Sequence, residues 1–537
     1  MTRRRWAIAA AILLAVAVSM GRSLGNGFVY DDVAAIATNP RVTAPHWARI
    51  PTSTYWQGTL WRPLTTAADA AQWQASGGNP RLFHFVSLIA YAGLGWLLYL
   101  LLDRIARQAG WRGAGPATAG VLLFLVHPVH VEVVANVAGQ AELWSALALA
   151  GALLIYWRAR TEASGPLHLI ALLAMVFLGI AAKEQGFMIP VVLAGMEWLL
   201  LGGRGERWTA RIRLLLPAFL LAAPMFVFRA SVVGGATGET PALAWRGAGL
   251  GARLLTFLAV VPVDLRLLVW PFHLSADYGP PAIPIGGPVT AQHLLGLLIV
   301  AGFAAAFVTT IRRAPGVAFG LWCAAATLAP VANVIVPTGI VTAERVLFLP
   351  SLGLTIAGMA GAAQVMAKRP EPRSRLVMAT IAVGALMVAF VVRGLTRTPV
   401  WHDQRAFYTQ LTLDAPRSYS AWKISAAYWA SVGDTGRATA ALRRSWQLWP
   451  HDAQVPERLG QIYRAAGRCD LAVSVFEAGI AVDSTATSLR ARLVECLIKL
   501  RQWDAADRYA AAAPGGFDAD RARIARLRAA DRAAGPP

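Results

Sequence analysis

Two adjacent carboxylates, Asp31 and Asp32, stand in the stretch NGFVYDDVAAIATNPR (26–41), just beyond the first apolar segment of the chain. Paired acids beside a low-dielectric medium are costly to ionise, so at a membrane edge they are read as functional by default. Their chemistry would be that of a base, taking a proton from a weak nucleophile. The structural alternative is an N-cap, an aspartate accepting from the free amides of the helix that follows. Other polar islands recur downstream. Arg62 lies in WRPL and His84 near the next apolar run, while His127, His130, Glu132 and Glu142 share HPVHVEVVANVAGQAELW (127–144). Lys183 and Glu184 adjoin Gln185, Asp277 sits in HLSADYGP (273–280), and Glu344 with Arg345 opens TAERVLFLPSLG (342–353).

Arg62, Lys183 and Arg345 are cations suited to an anionic group. His127, His130 and Glu132 can orient a reactant, or form a metal trio for a divalent cation, although Pro128 distorts that turn. The plainer alternative is a hydrogen-bonded knot tying two helix ends. Glu344 and Arg345 fit a structural ion pair, and an arginine in that place can equally grip a lipid phosphate.

These groups must be positioned by membrane helices. The chain has 537 residues, 56% hydrophobic and 15% charged, with mean hydropathy +0.49. A soluble domain carries roughly 25% charged residues, so this is an integral membrane protein of all-α class. The net charge of +21 is spread through short loops with no compact basic and aromatic patch, which argues against nucleic acid. The three cysteines match no zinc or redox spacing. The start MTRRRWAIAAAILLAVAVSMG reads as an uncleaved first helix rather than a signal peptide.

Apolar stretches long enough for a ~30 Å core recur near 6–22, 82–102, 115–131, 141–157, 166–182, 186–201, 213–229, 291–311, 316–336, 346–366 and 376–395. Arginines at 3–5, 104–112, 158–160, 204–213 and 312–313, with Lys368, Arg369, Arg373 and Arg375, mark the inside loops. About eleven crossings satisfy them, placing the N-terminus in the cytoplasm and the C-terminus outside an inner, cytoplasmic membrane. Residues 253–274, interrupted by Pro262, Asp264, Arg266 and Pro271, are expected to form a re-entrant or interfacial helix pair that does not cross. The polar islands then gather on the outer face.

Beyond Arg397 a 34-residue register appears. Trp422, Ala426, Trp429, Gly433, Ala438 and Leu442 are followed by Leu459, Gly460, Tyr463, Ala472 and Phe476, then by Leu493, Val494, Leu497 and Ala506. That is the spacing of tetratricopeptide (TPR) repeats, about three helix hairpins stacked as a solenoid. Domains are expected at 1–396 (membrane), 397–514 (repeats) and 515–537 (an Ala/Arg-rich tail).

FVYDD with NP, WRPL, HPVHVE with GQAE, AAKEQG, LSADY and AERVLFLPS, in this order and ahead of the repeats, resemble the transmembrane and TPR protein O-mannosyltransferases and their bacterial relatives. The usual HPxHTEAVA-GRAE is here HPVHVEVVANVAGQAE, with Val131 for Thr and Gln140 for Arg. The resemblance covers nearly the whole chain. It implies the C-type glycosyltransferase fold, a polyprenyl-phosphate sugar donor, mannose as a candidate sugar, and a protein hydroxyl acceptor on the non-cytoplasmic face. In that frame Asp31 would be the general base, and Asp32 would orient the acceptor or hold Asp31. Arg345, Lys183 and Arg62 would meet the donor phosphate, with membrane lipid around it and a polypeptide on the repeats. His84, His127, His130, Glu132, Glu142, Glu184, Glu344 and Asp277 would be supporting residues. The alternatives are a non-enzymatic scaffold for an envelope complex and a transporter of lipid-linked sugar, which would place its ionisable groups at mid-membrane.

Overall fold

The computed structural model describes residues 3–55, 60–162, 165–202, 208–235, 245, 247–368, 373–512 and 518–533. Arg204, Arg207, Arg369 and residues 515–517 and 534–537 of the expected tail lie outside them. Among the described residues the chain is helical, with one isolated bridge, Pro281 to Ser418, as its only β pairing. It divides into two units, Met1–Ala276 with Ile283–Gln410, and Asp277–Ala282 with Leu411–Pro537. Residues 397–410, which change in character at Arg397, fold with the first unit.

Among the described residues of the first unit, eight helices are long and apolar enough to cross a membrane, and the bent pair Gly115–Leu125 with Pro128–Ala135 makes a ninth if it is one span. Two shorter apolar helices, Pro166–Ala182 and Pro315–Val331, occupy the remaining stretches expected from the sequence. Prolines open several of these helices, at Pro63, Pro80, Pro166 and Pro315. The first turn leaves its amides unpaired in any case, so a missing N–H costs nothing there. Burial separates the bundle into layers. Val137–Thr161 and Glu344–Lys368 are each 72% buried and form its centre, whereas Ala291–Arg313 and Ser374–Trp401 are 6% buried and present their apolar faces outward.

The segment around 253–274 departs from expectation: it is one continuous helix, Leu250–Val269, not a helix pair. Pro262 lies inside it and cannot donate to the carbonyl of Leu258, four residues back. The neighbouring helix Ala291–Arg313 packs closely on this stretch. A Cβ at Gly296 would sit 1.9 Å from the Leu258 oxygen, so only glycine lets the neighbouring backbone approach, and Gln292 Nε2 donates to the Ala259 oxygen at 2.7 Å. Both ends of the helix lie against the same end of the bundle. Arg253 donates to Ile335 O (3.1 Å), Thr342 to Asp264 (3.0 Å), and His127 Nε2 to Leu268 O (3.0 Å). We propose that a helix held this way runs along the bundle end instead of through it. We therefore expect cysteines placed at exposed His273 and at Arg313 to label from opposite sides of the membrane. Labelling of both from one side would contradict it.

The second unit contains helix hairpins Tyr419–Ser431 with Thr435–Leu448, Gln454–Ala465 with Cys469–Val482, and Thr487–Lys499 with Trp503–Ala511, then the helix Asp518–Ala533. Their buried faces merge in one apolar core that includes Ala426, Leu442, Leu459, Phe476, Leu493 and Ala506.

Candidate active site

The two neighbouring aspartates have different surroundings. Tyr30 takes a left-handed φ of 57°, rare for a side chain of its size, and its ring stacks on Phe407 with centroids 4.9 Å apart. The turn sends Asp31 and Asp32 to opposite sides. Asp32 is fully buried: Oδ1 accepts from the amide of Ala138 (2.7 Å) and Oδ2 from that of Val29 (3.2 Å). Burial pushes its carboxyl up to about 7 against the pull of these amides. Asp32 is thus held by a backbone amide at each oxygen. It is a positioning residue that ties the loop to the segment Val137–Gly139. Asn26 adds a second tie, Nδ2 to Ala135 O at 3.2 Å. Gly139 is required here, because a Cβ would lie 2.2 Å from the Val133 oxygen.

Replacing Asp32 with alanine leaves the Val29 amide without its acceptor and the Ala138 amide with only its longer bond to Asn136 Oδ1 (3.3 Å), a cost of ~1–3 kcal/mol for the stranded amide. We expect a lowered melting temperature together with reduced activity. An Asp32→Ala protein as stable and active as the parent would contradict the assignment.

Asp31 keeps an open side, its side chain 17% exposed, and its Oδ2 meets Arg345 Nη1 at 3.1 Å. The same Nη1 reaches Glu132 Oε1 at 2.8 Å, and the Arg345 amide donates to Glu132 Oε2 at 2.9 Å. Glu132, only 1% exposed, thus clamps the turn Glu344–Leu347 and aims its arginine at Asp31. Burial holds the Asp31 carboxyl above its ordinary value, the Arg345 guanidinium opposes that rise, Glu142 adds to it and Arg62 opposes it. Of the remaining expected cations, Arg62 acts on Asp31 directly, and Lys183 acts with Glu142, Arg62 and Arg345. Lys183 pairs with Glu142, and Arg62 makes a forked bond to Glu184, Nη2 to Oε2 at 2.8 Å. Arg62 also lies over the Tyr55 ring, 5.5 Å from its centroid.

Several expected roles change. His127, His130 and Glu132 are not a metal trio, because protein groups already occupy their ligating atoms. His127 Nδ1 accepts from the Val129 amide (3.2 Å) while Nε2 serves Leu268, and His130 lies between Tyr91 Oη (2.8 Å) and Ser351 Oγ (2.9 Å). The hydrogen-bonded knot is what forms. No group of three metal-ligating side chains is placed to hold an ion among the described residues. Glu344 does not pair with Arg345; its carboxylate accepts from the Ser275 amide. Asp277 belongs to the second unit, where it accepts from Ser418 and Ser420. His84 is buried beside the backbone of Asn26 and Gly27, under the loop. Gln140 is also buried, exchanging amide bonds with Gln72 and donating to Phe83 O at 2.9 Å.

Two buried groups near the loop escaped the sequence reading. Asp69, in the helix Pro63–Ser76, and Tyr55 are both buried, and the charges of Asp32 and Asp69 act on each other. A single acid in the alanine-rich run TTAADAA was the available signal.

Characterised sequences show what the chain is similar to. Protein O-mannosyl-transferase TMTC1 of Homo sapiens is 24% identical over 510 residues, 85% of this chain and 57% of its own length. TMTC3 of Mus musculus is 26% identical over 400 residues (64% and 41%), and Tmtc2 of Drosophila melanogaster 30% over 282 (49% and 29%). The chain is a relative of the TMTC protein O-mannosyl-transferases. It spans between 29% and 57% of the length of these three TMTC proteins. No family model matches the chain, and no solved structure matches it.

Proposed function

We propose that this chain is a membrane glycosyltransferase of the C-type fold. It moves a sugar, mannose by analogy with the names of its relatives, from a polyprenyl-phosphate donor to a serine or threonine hydroxyl of protein. The reaction takes place on the non-cytoplasmic face of the inner membrane. The observation that carries this reading is the contact of half-open Asp31 with Arg345, a base beside a cation. The acceptor hydroxyl gives its proton to Asp31 as its oxygen bonds to the anomeric carbon. The bond from that carbon to the phosphate oxygen breaks, and its electron pair leaves with the lipid phosphate. Arg345 meets the charge that develops there, with Arg62 and Lys183 behind it. One displacement inverts the anomeric centre. A carboxylate held above its ordinary value is a better base, and the hydroxyl is a poor nucleophile without one.

The test uses membranes containing the protein, a lipid extract as donor source and a labelled sugar. Label should appear in protein, and fail to appear when Asp31 is asparagine. Equal labelling by both would refute the reading.

The helix hairpins of the second unit, read as TPR repeats, suit an extended polypeptide, and we assign them the acceptor. Removal of residues 411–537 should lower transfer to a protein acceptor while sparing a short diffusible peptide. Unchanged transfer to both would end the docking idea.

A further inference from the structure

A second feature lies away from the Asp31 cluster. Between the helices Pro80–Gln108, Val137–Thr161 and Pro166–Ala182 runs a groove of about 500 Å³, walled by apolar side chains such as Leu97, Leu147, Ile155 and Met175. Along Val137–Thr161 it extends from Trp144 to Arg158. At 1.5 Å rise per residue that is ~21 Å, most of a ~30 Å hydrocarbon layer. Its end is not apolar: Arg104 and Arg158 line it.

The charge there is only partly compensated. Arg104 is half-buried and makes no ion pair among the described residues; its side chain reaches only its own helix, Leu100 O, at 3.4 Å. The groups acting on it are Glu162, Arg158, Asp103 and Arg5. Glu162 is bonded to Arg158 (3.2 Å) and Asp103 to Arg107 (2.9 Å), so both carboxylates already have arginine partners. Two arginines at the mouth of an apolar groove match a phosphate with a hydrocarbon tail. A guanidinium offers forked donors to phosphate oxygens, and basic pockets between membrane helices recognise anionic lipid head groups.

We propose that this groove is a binding site for an anionic glycerophospholipid. The acyl chain lies in the groove and the phosphate between Arg104 and Arg158. One chain reaches ~15 Å, half the layer, so the lipid belongs to the leaflet that these arginines face. This assignment is independent of the reaction at Asp31.

The full-length protein, extracted in detergent and stripped of lipid, is titrated with phosphatidylglycerol and separately with phosphatidylcholine, with bound lipid read by native mass spectrometry. Phosphatidylglycerol should be retained at one site and phosphatidylcholine bound about tenfold more weakly. The double variant Arg104→Gln/Arg158→Gln should lose the preference, Arg104→Lys should keep most of it, and Ile155→Trp should block both lipids by filling the groove. The Lys variant separates loss of charge from loss of fold. Equal affinity for the two lipids, a preference that survives the double variant, or retention of a polyprenyl phosphate in place of phosphatidylglycerol would overturn the proposal.

Discussion

Asp31→Asn is expected to reduce glycosyl transfer by about 10²–10⁴-fold, the usual contribution of a positioned general base, while the protein remains folded and inserted. The substitution preserves volume and leaves an amide oxygen facing Arg345 at the Oδ2 position, 3.1 Å away. The loop itself is held elsewhere, through Asp32 on the amides of Ala138 and Val29 and through Gly27 on His402 O at 2.8 Å. The variant should therefore melt within a few degrees of the parent, and loss of turnover with retained stability marks a chemical role. Turnover near the parent value would make Asp31 a surface acid, and Glu132 and Glu184 would be the next bases to test.

Arg345→Gln should act on rate, stability and pH dependence together. Removing a preorganised charge from the leaving group costs about 10²–10³ in turnover. It also strands Glu132, 1% exposed, without its cation. Breaking one half of a buried pair costs ~3–5 kcal/mol, and the lower end applies because Arg345 itself is 21% exposed. The pH effect has a definite sign. Burial raises the Asp31 carboxyl and Arg345 opposes that rise, so its removal lifts the carboxyl further. A base works ionised, so the acid limb of the kcat/KM profile should move to higher pH in the variant. A lower rate with an unmoved acid limb would separate Arg345 from Asp31 and leave it a purely structural partner of Glu132.

The membrane spans were legible because length and apolarity are local properties, and a ~30 Å core demands a long run wherever it occurs. The hairpins of the second unit were legible for a similar reason: Gly460 stands where a Cβ would meet the Phe476 ring 2.3 Å away, a constraint within one hairpin. What escaped were relations between distant residues. Asp32 and Ala138 are 106 positions apart, and Arg345 and Glu132 are 213 apart. No periodicity could reveal that one aspartate of a pair would turn inward onto an amide and the other outward onto an arginine. The left-handed φ of Tyr30, just before the pair, accompanies that division. The helix Leu250–Val269 was misjudged for the same reason, since Pro262 removes a local bond in a stretch packed against Gln292 and Gly296 of another helix. The histidines resembled ligands by spacing, yet their ring nitrogens were already committed to Tyr91, Ser351 and Leu268.

The most direct measurement is a reconstitution. Purified protein in lipid vesicles is given a polyprenyl-phosphate mannose with labelled sugar and a serine- and threonine-containing peptide, and the peptide and donor are analysed by mass spectrometry and anomeric assignment. The expected result is labelled sugar on a peptide hydroxyl with inverted configuration, released polyprenyl phosphate in equal amount, and neither product with Asp31→Asn. Intact donor carried across the bilayer with no glycopeptide would identify a transporter, and intact donor left in place would identify a scaffold. Either result would contradict a transfer reaction centred on Asp31 and Arg345.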